Sequence, residues 1–156
     1  MRLMPKFLVT IGLTLTLCLS LITPACAAIF SFAGDRPSNL GITAGQLAPC
    51  PATPNCVSSQ ATDAHRIAPL AYTGDGAAAI AKVKAAIVAS PGSKIITEAE
   101  NYVYAEFSSG LMGFVDDVEF YRDDAAGVIQ VRSASRLGES DLGVNAKRIE
   151  AIRSAM

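Results

Sequence analysis

The sequence predicts an α+β domain, with an antiparallel sheet of four or five strands and two helices packed on one face. Three observations support this fold class. Four stretches of alternating polar and apolar residues follow one another closely between residues 94 and 135. One segment with helical spacing of its apolar residues precedes them and another follows them. The short turns between the strands make neighbouring strands antiparallel, and such a sheet can keep one face wet.

The first 27 residues are typical of a secretory signal peptide. Arg2 and Lys6 precede an uncharged apolar run over 7–22, and small residues around Cys26 provide a cleavage site after Ala27. We therefore expect cleavage near Ala27 and an extracytoplasmic location, in a periplasm, in a lumen or outside the cell. Contact with a membrane is expected only through this segment or, as a weaker alternative, through a lipid on Cys26.

The mature chain is predicted to begin with a flexible leader over 28–48, because its glycines and prolines interrupt any apolar periodicity. A single α+β domain over 49–156 follows. Its cysteines, Cys50 and Cys56, lie in CPATPNC, and an oxidising compartment favours their pairing. A structural disulfide is the favoured interpretation, because a redox pair prefers the tighter C-x-x-C spacing and a zinc site needs two more ligands. No metal and no cofactor are predicted.

Each element of the domain has its own local signal. Asp75 is a suitable N-cap for the first helix, and Pro91 and Gly92 end it. Ser140 or Asp141 is the predicted N-cap of the second helix. The predicted elements, in chain order, are a strand at 67–72, a helix at 77–89, strands at 94–99, 101–108, 114–122 and 128–135, and a helix at 142–156.

Alternation along the strands assigns one face of the sheet to the core and a polar face to the other side. The predicted core side carries Val103, Ala105, Phe107, Val118, Phe120, Ile129 and Val131. The polar face carries Tyr102, Tyr104, Glu106, Asp117, Glu119, Tyr121, Gln130 and Arg132.

The register of the last two strands follows from these faces. Pairing Phe120 with an apolar partner places Arg132 opposite Glu119 or Asp117. On a wet face such an ion pair stabilises the sheet by only about 0.2 to 1 kcal/mol, and this structural role is the favoured one. The alternative is that the carboxylates, tyrosines and arginine of the polar face hold a ligand.

A second polar cluster surrounds the last helix. Asn145 interrupts the apolar stripe of this helix, and Asp141 and Arg148 lie on the edge of the stripe. A buried amide without a partner costs about 1 to 3 kcal/mol, so Asn145 should have a defined partner. We favour a structural lock of the loop over 133–140 onto the helix. The alternative is an anion pocket formed by the helix N-terminus with Arg136 and Arg148.

Composition and motifs narrow the function classes. Acidic residues outnumber basic ones, 14 to 13, which disfavours nucleic-acid binding. The sequence contains neither a phosphate-binding loop nor a nucleophile elbow, so no catalytic residue is assigned. The leading hypothesis is a non-enzymatic extracytoplasmic binding or accessory module, with a small anionic ligand or a protein as its partner. A small-molecule hydrolase or other enzyme working from the polar face is one alternative, and a structural partner-binding protein is another. The candidate ligand-binding residues are Glu119, Arg132, Arg136, Asp141, Asn145 and Arg148.

Three stretches resemble one protein family. They are CPATPNCVSS at 50–59, DDVEFY at 116–121 and IQVRSASRLGESDLGVNAKRIEAIR at 129–153. These stretches are similar to the domain of unknown function 1499 family. That family has no established activity and occurs largely in bacterial proteins that are often exported or membrane-associated. The resemblance agrees with the export expected from the signal peptide, and it implies only that the cysteine pair and the arginine- and asparagine-containing block are family features.

Overall fold

The structure, a computed structural model, describes residues 31–156. The predicted signal peptide over 1–27, with its alternative lipid site at Cys26, lies outside the described residues. In the described part, no helix is long and apolar enough to cross a membrane. The elements in chain order are β1 (Cys56–Ser58), β2 (Leu70–Ala71), α1 (Gly76–Ala89), β3 (Ser93–Glu98), β4 (Tyr102–Ser108), β5 (Val115–Asp123), β6 (Val128–Ser135) and α2 (Val144–Ser154).

The strands form one antiparallel sheet in the order β1-β6-β5-β4-β3, and β2 pairs with the other end of β6. The α+β class with two helices is confirmed, but the sheet has six strands where we predicted four or five. The unpredicted strand is β1, which is too short to show alternation. It begins at Cys56, whose predicted disulfide with Cys50 is present. The disulfide thus fixes the chain at the edge of the sheet.

The core lies between one face of the sheet and the helices. All seven residues predicted for the core side of the strands are members of the central hydrophobic cluster. The register is also as predicted, since Glu119 pairs with Arg132 and Phe120 with Val131. Helix α1 begins as expected, because the Asp75 side chain accepts a hydrogen bond from the Ala77 N–H at 2.9 Å. Its core-facing side chains are Ala79, Ile80, Val83, Ala86 and Ile87.

The start of α2 corrects our prediction. The helix begins at Val144, and its N-cap is Gly143 rather than Ser140 or Asp141. Leu142 and Gly143 both have positive φ angles, 53° and 80°, so the chain turns before the helix can begin. The Asp141 carboxylate nevertheless satisfies the helix N-terminus, because it accepts hydrogen bonds from the N–H groups of Gly143 at 3.0 Å and Asn145 at 2.7 Å.

The polar face of the sheet is buried, where we predicted a wet face. Glu119 is 0% exposed, Asp117 is 1% exposed and Arg132 is 5% exposed. The reason is a second layer, formed by residues 31–48, which we call the strap. Leu47 of the strap is buried in an apolar cluster with the rings of Tyr102 and Tyr104 on the polar face. The stretch predicted as a flexible leader therefore has defined contacts with the sheet from residue 31 onward.

Candidate functional site

Two carboxylates of the polar face bind the strap. Glu119 on β5 accepts a hydrogen bond from the backbone N–H of Gly41 at 2.7 Å. Arg36 donates from Nε to Glu106 Oε1 on β4 at 2.8 Å. Gln60 holds the C-terminal end of the strap, since it accepts from the Leu47 N–H. The strap is thus attached to the sheet along most of its length.

Glu119 lies at the centre of the polar face. Its Oε1 also accepts a hydrogen bond from the Tyr102 hydroxyl at 2.7 Å, and its Oε2 lies 3.4 Å from Arg132 Nη1. Burial of the ring and the adjacent Glu119 carboxylate raise the pKa of Tyr102 far above its usual range. Within the described part of the chain, Arg132 Nε has no hydrogen-bond partner. Within the described residues, the Glu119 carboxylate therefore has three hydrogen-bonding contacts, from the Gly41 N–H, the Tyr102 hydroxyl and Arg132 Nη1.

Arg136 follows β6 and forms the tightest ion pair of the polar face. It donates from Nε to Asp117 Oδ2 at 2.9 Å and from Nη2 to Asp117 Oδ1 at 2.7 Å, and Nη2 also contacts Glu106. The hydrogen bonds to Asp117 raise the pKa of Arg136. Burial raises the pKa of Glu106, but hydrogen bonds from Arg136 and Arg36 outweigh burial and leave this pKa below its usual value. Arg136 is therefore committed to internal carboxylates.

A separate polar cluster, which we call the helix lock, joins α2 to β6 and to the disulfide loop. Asn145 is 0% exposed, and its Oδ1 accepts hydrogen bonds from the Ser133 hydroxyl and from Arg148 Nη1. Its amide nitrogen donates to the Asn55 carbonyl and to the Ser135 hydroxyl, each at 3.1 Å. All hydrogen-bonding positions of this buried amide are satisfied, as stability requires.

Arg148 connects the helix lock to the sheet. Its Nη2 donates to Asp116 at the start of β5, and its guanidinium lies 4.7 Å from the centre of the Phe107 ring. Asp141 caps α2, and hydrogen bonds from the Asn145 and Gly143 N–H groups lower its pKa despite its partial burial. The helix N-terminus that we considered as part of an anion pocket thus already binds a carboxylate of the chain.

Next to the helix lock lies an open groove with a volume of about 660 Å³. Its walls are α2, the loop over 136–143 and the adjoining ends of β4 and β5. Most of its lining is apolar, and Arg148 and Asp116 contribute charged groups to one wall. The apolar side chains of the lining are Pro91, Phe107, Phe114, Leu137, Leu142, Val144 and Ala151.

Exposed apolar residues are concentrated around the groove. Among the described residues, seven large hydrophobic side chains are exposed, and four of them line this groove. Leu142 is 86% exposed and has a φ of 53°, a left-handed conformation that is unfavourable for leucine. Phe32 of the strap stacks on Phe114 at the groove, with 5.5 Å between ring centres. An exposed apolar surface of this kind is typical of a binding site.

A comparison with protein-family models identifies a family for this chain. The model for a protein of unknown function, DUF1499, matches residues 46–156. The chain belongs to the DUF1499 family. No curated protein and no solved structure matches it. The DUF1499 match includes the helix lock, the groove and the sheet, and it begins at the C-terminal end of the strap.

The candidate ligand-binding residues that we selected from the sequence fall into two groups in this DUF1499 domain. Glu119, Arg132 and Arg136 lie under the strap, and none of them lines the groove. Asp141 and Arg148 line the groove, whereas Asn145 lies behind its wall. Among the described residues, no cluster of histidine, cysteine or carboxylate side chains has the arrangement of a metal site.

The groove itself was not among the features predicted from the sequence. Leu137, Leu142 and Val144 show no regular spacing, because they belong to a loop and to the first residue of a helix. Two signals were nevertheless available in the sequence. Leucines at 137 and 142 flank a polar loop, GESD, where solvated side chains are the norm. The DUF1499 motif also places these leucines beside Arg136 and Asp141.

Proposed function

We propose that this DUF1499 protein is an exported, non-enzymatic binding module that holds a small molecule with an apolar body in the groove. The clustering of exposed apolar side chains around one cavity is the observation that carries this proposal. A cavity of about 660 Å³ is within the usual range of small-molecule sites, which is roughly 300 to 1,000 Å³.

Local strain supports the same site. The left-handed conformation of Leu142 costs roughly 1 to 2 kcal/mol, and its side chain recovers little of that energy because it is 86% exposed. Strained residues that persist in this way are frequent at binding sites. A ligand in the groove would cover Leu142 and offset this cost.

The burial and pairing of the carboxylates on the polar face also agree with a binding role. The carboxylates of Asp117 and Glu119 are buried under the strap and hydrogen-bonded to arginine or tyrosine side chains. General acid–base catalysis requires a group within reach of the substrate. Both carboxylates that line the groove among the described residues are already engaged, because Asp141 caps a helix and Asp116 pairs with Arg148.

Export is the second part of the proposal. The signal-peptide pattern over 1–27 and the Cys50–Cys56 disulfide both support an oxidising extracytoplasmic compartment. Intact mass spectrometry of the protein recovered from the cell envelope tests this part. The expected species starts at residue 28 and contains one disulfide. A reduced chain that retains residues 1–27 would contradict export with cleavage.

The groove is tested with a neutral fluorescent probe, N-phenyl-1-naphthylamine, whose emission rises in apolar sites. Mature wild-type protein should bind the probe, and Ala151→Trp should abolish binding because the indole fills the groove. Ala85→Trp is the matched control, since Ala85 is an exposed helical alanine outside the groove. Absence of probe binding to the wild type, or equal binding by both variants, would overturn the proposal.

A further inference from the structure

Arg148 has hydrogen-bonding capacity that the described residues do not use. A guanidinium carries five N–H donors. Two on Nη1 are bound by Ser133 and Asn145, and one on Nη2 is bound by Asp116. Within the described part of the chain, the Nε–H and the second Nη2 proton have no acceptor. These two donors belong to a side chain that lines the groove.

A second cation lies next in sequence. Lys147 is exposed, lines the groove and has no carboxylate partner among the described residues. The nearby carboxylates are already in use, since Asp141 caps α2 and Asp116 pairs with Arg148. The polar wall of the groove therefore combines an unpaired ammonium with two free guanidinium donors, which suits an anion with two acceptor oxygens.

The remainder of the groove lining indicates the chemistry of the part of the ligand that lies beyond its anionic group. Apolar side chains from the β4 and β5 ends, the loop and α2 make up most of the groove surface. Among the described residues, Lys147 and Arg148 are the two cations of the lining, and they lie beside the engaged carboxylates of Asp116 and Asp141. The site thus combines one small anion-binding region with a long apolar wall.

We propose that the groove takes a single-chain carboxylate, of the long-chain fatty acid class, with its head at Lys147 and Arg148. This inference rests on the proposed function and specifies its ligand. The chain would lie against Phe114, Leu137 and Val144. Burial of each methylene contributes about 0.8 kcal/mol, so affinity should rise about fourfold per methylene until the groove is full.

The test compares three ligands with the same chain and different heads: dodecanoate, dodecanol and dodecyltrimethylammonium. Each is titrated into the mature protein as a competitor of the naphthylamine probe. Dodecanoate should bind about tenfold more tightly than dodecanol, and the cationic ligand should bind most weakly. Lys147→Gln should weaken the binding of dodecanoate several-fold and leave the affinity for dodecanol unchanged. Lys94→Gln, an exposed lysine on β3 outside the groove, is the control that should change neither.

The outcomes separate the two proposals. Equal affinities for the three heads, or no effect of Lys147→Gln on dodecanoate, would overturn the carboxylate assignment and leave the groove as an apolar site. Failure of the probe and of all three ligands to bind would overturn the groove itself.

Discussion

The guanidinium of Arg136 and the carboxylate of Asp117 form a bidentate ion pair beneath the strap, with contacts of 2.9 Å and 2.7 Å. The pair joins the residue after β6 to the N-terminal part of β5. Asp117 also lies 2.6 Å from the Tyr104 hydroxyl, so its carboxylate is surrounded by donors. Such a buried pair is costly to break, because the remaining charge has no water to solvate it.

Asp117→Asn should therefore destabilise the protein by about 3 kcal/mol, measured by urea unfolding. The matched control is Asp124→Asn. Asp124 also pairs with an arginine, Arg122, but its side chain is 63% exposed. We expect the control to cost less than about 1 kcal/mol. Equal effects of the two substitutions would contradict the internal role assigned to the Arg136–Asp117 pair.

The hydrogen bonds of Asn145 in the helix lock lead to a second prediction. Asn145→Ala removes an acceptor from Ser133 and Arg148 and a donor from Asn55 and Ser135, and it should cost about 3 kcal/mol. Thermal and urea unfolding measure this loss. Asn101→Ala is the control, because Asn101 is exposed and its side chain makes no hydrogen bond within the described residues. The control should stay within about 0.5 kcal/mol of wild type, and a comparably small effect at Asn145 would refute the lock.

Leu142 should show a conflict between stability and binding. Leu142→Gly relieves the left-handed strain, so we expect the free energy of unfolding to rise by about 0.5 to 1 kcal/mol. The same change removes an apolar wall of the groove and should weaken binding of the naphthylamine probe.

Ala44→Gly is the matched control for this experiment. Ala44 also has a positive φ, 50°, but lies in the strap away from the groove. The Ala44→Gly variant should be more stable than wild type and should bind the probe with unchanged affinity. If Leu142→Gly binds the probe as wild type does, the strained leucine has no part in the site.

The raised pKa values of two buried tyrosines predict that the free energy of unfolding falls at alkaline pH. Burial, together with the neighbouring carboxylates, raises the pKa of Tyr102 and Tyr104 well above the usual value of about 10. The folded state then retains protons that the unfolded chain releases above pH 10. Stability should therefore be constant through the neutral range and fall as the pH rises beyond about 10.

Spectrophotometric titration of tyrosinate checks this prediction. Native protein should ionise Tyr102 and Tyr104 only as it unfolds, with absorbance and circular dichroism changing together. In the double variant Tyr102→Phe and Tyr104→Phe, the alkaline fall in stability should be reduced. Titration of both residues near pH 10 in folded protein would show that the strap does not exclude water from them.

Local patterns were sufficient to predict the main elements of this fold. Alternation predicted the core faces of β4, β5 and β6, and the parity of the faces predicted the Glu119–Arg132 pairing. The capping preference of aspartate predicted the start of α1 at Asp75. These features depend on neighbouring residues or on a single strand pair, so a sequence pattern can encode them.

Features that depend on long-range contacts were not predicted. The strap contacts the sheet through sparse apolar residues, such as Leu47, and through backbone groups, such as the Gly41 N–H, which leave no periodic signal. The groove results from the approach of α2, a loop and two strand ends. The start of α2 shifted because two left-handed residues, Leu142 and Gly143, precede it.

The most direct test of the groove is an amide NMR titration of mature, ¹⁵N-labelled protein with dodecanoate. The shifts should concentrate on residues around the groove, including Ser109, Leu137, Leu142 and Lys147, and leave Gly41 and the polar face unchanged. Shifts centred on the strap and the polar face, or no saturable shifts at all, would contradict the proposal that this protein binds its ligand in the groove.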